Sequence, residues 1–86
     1  MLINQHVETG DEIVMTGTMT NDPDPMPVGA RGTVIQVVPG QGYADQILVA
    51  WDPETAGNRS LILLGSDPFA VTKRAWVVVH DPEAAT

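Results

Sequence analysis

Asp22 and Asp24 stand two apart on a proline-rich segment, and His6 and His80 lie near the two ends of the chain; no other side chains come as near to a metal site. A calcium or magnesium site needs several oxygen ligands converging around one loop. Here Pro23, Pro25 and Pro27 stiffen the backbone, and no acidic residue follows at the remaining spacings of a calcium loop. Asp22 therefore reads as the head of an Asx turn. Ser60 and Ser66 could act as nucleophiles only beside a base, and the histidines are expected far from both. Asp52 and Asp67 could form a carboxylate pair, yet each precedes a proline at a turn, where aspartate ordinarily accepts backbone N–H groups. Gly29-x-x-Gly32 and Gly40-x-Gly42 feed extended segments and not the helix N-terminus that a phosphate cradle requires. The expectation is a non-enzymatic chain with no catalytic residue, no metal and no cofactor.

The elements that position these residues must come from 86 residues, 43% of them hydrophobic and none of them cysteine. That is enough for one small core without disulfide staples, so residues 1–86 are expected to form a single domain with a short lead and a fraying tail, Asp81 to Thr86. No signal peptide or apolar span is visible, which fits a cytoplasmic protein with no membrane attachment. The net charge of -7 repels polyanions, and Arg31, Arg59, Lys73 and Arg74 are too few and too dispersed to guarantee a basic footprint. Direct nucleic-acid binding is accordingly unfavoured.

Along the chain, Gly10-Asp11 signals a turn before a first strand, Glu12 to Thr16, with either Ile13 and Met15 or Val14 facing inward. Gly17 to Pro27 is a rigid excursion, because prolines remove donors and favour extended geometry. Gly29 to Gly32 turns the chain back into a second strand, Thr33 to Val38, which Pro39-Gly40 closes. A third strand runs from Gln46 to Trp51, with Ile47, Val49 and Trp51 on one face. A turn at Pro53 to Asn58 precedes a fourth strand, Arg59 to Leu64, with Leu61 and Leu63 on one face. After a break at Gly65 to Phe69, Ala75 to His80 is the expected fifth strand. No segment carries a helical period long enough for a regular helix. Five short strands at close spacing in so short a chain point to an all-β fold, a small, partly open SH3-like barrel, with an OB-fold as the alternative.

Several motifs fall in a fixed order: Gly10-Asp11; Asp22-Pro23; Pro27-x-Gly29-x-x-Gly32-Thr33-Val34; Val49-x-Trp51-Asp52; Gly57-x-x-Ser60-Leu61-x-Leu63; and Asp67-x-Phe69. In this order the chain resembles the DUF4314 family of small domains, found often in phages and other mobile elements of bacteria. The resemblance covers positions 10 to 69 and implies an SH3-like barrel in a mobile-element setting, with no activity or ligand attached. The chain differs from that pattern in its Gly-rich Pro39 to Asp45 connection, its longer Pro53 to Gly57 turn and its Arg74 to His80 segment.

The leading functional expectation is a protein-interaction module, an accessory protein of a phage acting in the host cytoplasm. The candidate interaction residues are Asp22, Asp24, Met26, Tyr43 and Trp76, with the aromatics and Met26 as apolar anchors and the carboxylates, joined by Asp45 or Glu54, selecting a basic partner. On this view Met26→Ala weakens partner capture and leaves the fold intact. Gly29, Gly32, Trp51, Asp52 and Phe69 are assigned to the frame. An unpaired edge strand also allows a homo-oligomer or an added peptide strand. Two alternatives stay open: a nucleic-acid or nucleoprotein-binding module, which needs Arg31, Arg59, Lys73 and Arg74 on one face, and an acidic inhibitor that offers carboxylates in place of phosphates to a host nucleic-acid-binding protein.

Overall fold

The computed structural model describes residues 5–19, 22–58 and 60–75. Five strands, β1 (Glu12–Met15), β2 (Arg31–Val38), β3 (Gln46–Trp51), β4 (Ile62–Leu64) and β5 (Phe69–Lys73), form one antiparallel sheet in the order β4-β3-β2-β1-β5. A single-turn helix, α1 (Pro53–Ala56), links β3 to β4. The fold is all-β, as the turn spacing predicts. The ladder ends at β4 on one side and β5 on the other, so the sheet is not closed into a barrel.

Alternation decides what each strand buries. Ile13 and Met15 point into the core and Val14 is half-buried, which resolves the facing of β1. On β3 Ile47 is fully buried, and Val49 and Trp51 pack on the core from the same face. Leu63 is the buried residue of β4, with Leu61 beside it. In β2 the pairing with β3 slips by one residue between Val34 and Gln36. The slip turns Val34 and Val37 inward and leaves both Ile35 and Gln36 exposed.

Two expected boundaries move. β2 begins at Arg31, so Gly32 lies within the strand and not in a turn before it. The fifth strand is Phe69–Lys73, of which the sequence reading puts Phe69 in a break and assigns Ala70 to Lys73 to no element, and it returns to pair with β1. The expected strand from Ala75 to His80 is not the one observed: Ala75 is not in a strand, and residues 76 to 80 lie outside those described. β5 is legible after the fact, since Ala70-Val71-Thr72 carries the β-branched side chains that suit a half-buried strand.

Gly29 and Gly32 serve different ends. Gly29 takes φ +92 with open space where a Cβ would sit, so it answers a conformational need at the turn into β2. Gly32 answers a steric one: a Cβ there would overlap Val49 Cγ1 and come within 2.9 Å of the Ala50 carbonyl oxygen across the ladder. A backbone oxygen held in a sheet cannot step aside. Gly32→Ala is therefore expected to cost about 1–3 kcal/mol, read as a lower denaturation midpoint with an unchanged slope in urea. An unaltered midpoint would contradict this account.

Asp52 caps α1 by accepting the Glu54 N–H at 3.0 Å, and Pro53 occupies the first turn, where its missing donor costs nothing. Thr55 Oγ1 accepts the Arg31 N–H at 2.9 Å and donates to the Asp52 carbonyl at 3.2 Å, which ties the helix to the start of β2. Trp51 Nε1 donates to the Leu61 carbonyl at 3.1 Å, fixing the chain that enters β4. Phe69 is buried at the start of β5. The structural roles assigned to Trp51, Asp52 and Phe69 are these contacts.

Candidate functional site

The proline excursion is held from its own interior. Asp22 Oδ1 accepts the Asp24 N–H at 2.9 Å, the Asx turn that the spacing predicts. Met26 then drives its side chain into the core, with only 1% of its surface accessible. The Gly29 N–H donates to the Met15 carbonyl at 2.8 Å and the Met15 N–H to the Ala30 carbonyl at 2.9 Å, so the excursion rejoins β1 before β2 begins. Met26 is thus a core residue and not an exposed anchor, which overturns its place among the candidate contact residues. Its unbranched thioether side chain suits an irregular space in the core. The exposed parts of the loop are Pro23, Asp24, Pro27 and Val28.

Tyr43 is exposed in the β2–β3 connection, as expected of an aromatic between Gly42 and Ala44. Trp76 lies outside the described residues, so the structure does not bring together the expected group of Tyr43, Met26 and Trp76. Asp45 Oδ1 accepts the Gly40 N–H at 3.0 Å within the same connection. Asp67 Oδ2 accepts the Leu64 N–H at 2.7 Å, and the Asp67 N–H donates to the Leu64 carbonyl at 2.9 Å. Asp52 and Asp67 each accept a backbone N–H in their turns, as expected of an aspartate before proline.

The most distinctive surface was not anticipated. On the outer face of the sheet, the cross-strand rows Val38, Gln46, Leu64 and Gln36, Leu48, Ile62 run over β2, β3 and β4. Ile35, at the register slip, joins them. Ile35, Val38, Ile62 and Leu64 are 54%, 41%, 56% and 40% exposed, and Leu48 between them is half-buried. The polar members of these rows are Gln36 and Gln46, so the patch carries no charge. Towards β1 and β5 the same face turns polar, with Thr33 opposite Glu12 and a Lys73–Glu12 ion pair at 3.8 Å. The signal in sequence is the unbroken run Leu61 to Leu64: assigning Leu61 and Leu63 to the core leaves Ile62 and Leu64 on the opposite face.

A second feature, read from sequence only as a turn, is a buried carboxylate. Asp11 has no accessible surface; its Oδ1 accepts the Ala75 N–H at 2.8 Å and its Oδ2 accepts the Glu8 N–H at 2.8 Å and Arg74 Nη1 at 3.2 Å. Arg74 Nη1 also donates to the His6 carbonyl at 2.9 Å. Burial by itself pushes this carboxyl up, but the Ala75 and Glu8 N–H groups and the Arg74 guanidinium outweigh it and hold the pKa below the ordinary aspartate value. Asp11 joins the lead, the turn before β1 and the segment after β5. With three donors from separate stretches converging on its two oxygens, it is a structural node. Lys73 and Arg74 each face a carboxylate, Glu12 and Asp11 respectively.

Among the described residues no helix is long and apolar enough to cross a membrane. No family model, curated protein or solved structure matches the chain.

Proposed function

We propose that the chain is a non-enzymatic protein-interaction module whose contact surface is the uncharged apolar face of β2, β3 and β4. The observation that carries this reading is the exposure of Ile35, Val38, Ile62 and Leu64 together in a chain of charge -7. Contiguous apolar surface of this kind is costly to leave in water and marks interaction sites. The fold that presents it is a partly open SH3-like barrel. Supporting that finer reading are the meander order, the return of β5 to β1, and the connection from Gly65 to Pro68, which is too short to join opposite edges of a flat sheet. A DUF4314-like relationship, and the phage and host-cytoplasm setting it implies, rest on the ordered motifs from Gly10-Asp11 to Asp67-x-Phe69. Tyr43, in the β2–β3 connection that follows Val38, is a secondary contact within this proposal.

The test is the size of the tagged full chain in a cell lysate. Native size-exclusion chromatography should place the wild-type chain in a species larger than one chain, and Ile62→Lys should return it to monomer size. A wild-type chain that elutes as a monomer from lysate and is also monomeric when purified at about 1 mM, or an Ile62→Lys chain that associates as the wild type does, rejects the reading.

A further inference from the structure

We propose that the occupant of the apolar face is a second copy of this chain, stacked face to face about a two-fold axis; this rests on the reading of the face as the contact surface and names its partner. Charge argues first. A face whose exposed polar groups are Gln36 and Gln46 exerts no electrostatic selection for a basic or acidic partner, and the complementary surface it requires is another uncharged apolar face. The chain itself supplies one. Stacking apolar half on apolar half places the Glu12, Lys73 and Arg31 side of each copy away from the overlap, so the repulsion between two chains of charge -7 is borne by solvated, screened groups.

The edge argues next. Strand addition along β4 is obstructed because Asp67 already occupies the outward N–H and C=O of Leu64, the last residue of a three-residue strand. At this end of β4 the face is open where the Leu64 backbone is not. Area is the third consideration. The apolar residues and two glutamines of the patch give a contact on the order of 1,200 Å² for two copies, at the lower limit for a specific complex. That predicts a weak, reversible dimer closed by its own symmetry.

Sedimentation equilibrium of the purified full chain, from about 10 µM to about 1 mM, should show a monomer–dimer equilibrium within that range. Ile62→Lys places two charges in the contact by symmetry and should weaken association by at least about 100-fold. Val28→Lys, on a residue 60% exposed at the proline loop and off this face, should leave it unchanged. Circular dichroism and thermal melts of both variants should match the wild type. The proposal is overturned if the wild type is monomeric throughout, if Ile62→Lys associates as tightly as the wild type, or if Val28→Lys abolishes association equally. A purified chain that stays monomeric while forming an Ile62-dependent larger species in lysate removes the second copy and leaves the interaction module standing. Monomers in both settings remove the two together.

Discussion

Asp11→Ala is expected to lower the unfolding free energy by about 3–5 kcal/mol at neutral pH, the largest loss of any single substitution considered for this chain. The carboxylate is fully buried and meets three donors from separate stretches of the chain: the N–H groups of Glu8 and Ala75 and the Arg74 guanidinium. Removing it strands two backbone donors and leaves Arg74 beside an apolar methyl. The 40% exposure of the Arg74 side chain lets water recover part of the ion pair, so most of the loss comes from the backbone donors. Asp11→Asn keeps one acceptor and should fall between the two. The same carboxylate shapes the acid limb of stability. Its folded-state pKa lies below that of the unfolded chain, so its contribution is fully present above about pH 4, the unfolded aspartate value, and is lost as pH falls through the folded-state value. Urea denaturation at several pH values should show a shallower acid-side decline in Asp11→Ala than in wild type. Equal slopes would mean that the node contributes nothing to the pH dependence.

Met26→Ala is expected to cost about 2–5 kcal/mol, because a buried thioether side chain is deleted from a site that the flanking prolines keep from collapsing. Met26 belongs to a core shared with Met15, Met19, Ala30 and Phe69. The excursion it anchors should also loosen, and limited proteolysis between Asp22 and Val28 should accelerate in the variant. Met26→Leu, close in volume, should restore most of the stability. A variant that melts with the wild type would place Met26 back on the surface and reopen the loop as a binding anchor.

Met26 shows where sequence patterning stops. Alternation is a property of strands: it grouped Ile47 with Val49 and Trp51, and Leu63 with Leu61, and it left Ile13 and Met15 as one of two possible inward faces of β1. In a proline-rich loop no period relates sequence position to direction, so Met26 could be placed only by the fold around it. The register slip in β2 had the same effect on Gln36, Val37 and Val38, since one extra residue reverses the facing of all that follow without any mark in the local composition. Asp52 and Asp22 were legible because their partners lie two residues away. Asp11 was not, because two of its three partners, Arg74 and Ala75, are separated from it by 63 and 64 residues. β5 was missed for a related reason: its first residue follows a Gly65-to-Pro68 break, and its partner is the first strand of the chain.

The pairing of β5 with β1 also sets the order of events when the chain is made. β1 sits between β2 and β5, so one of its edges stays open until Phe69–Lys73 has been synthesised, long after β1, β2 and β3 can assemble. Such distant pairing slows folding and exposes unpaired backbone in the interval. Until Phe69–Lys73 has emerged, β1 can pair only with β2, and Asp11 has neither its Arg74 nor its Ala75 partner.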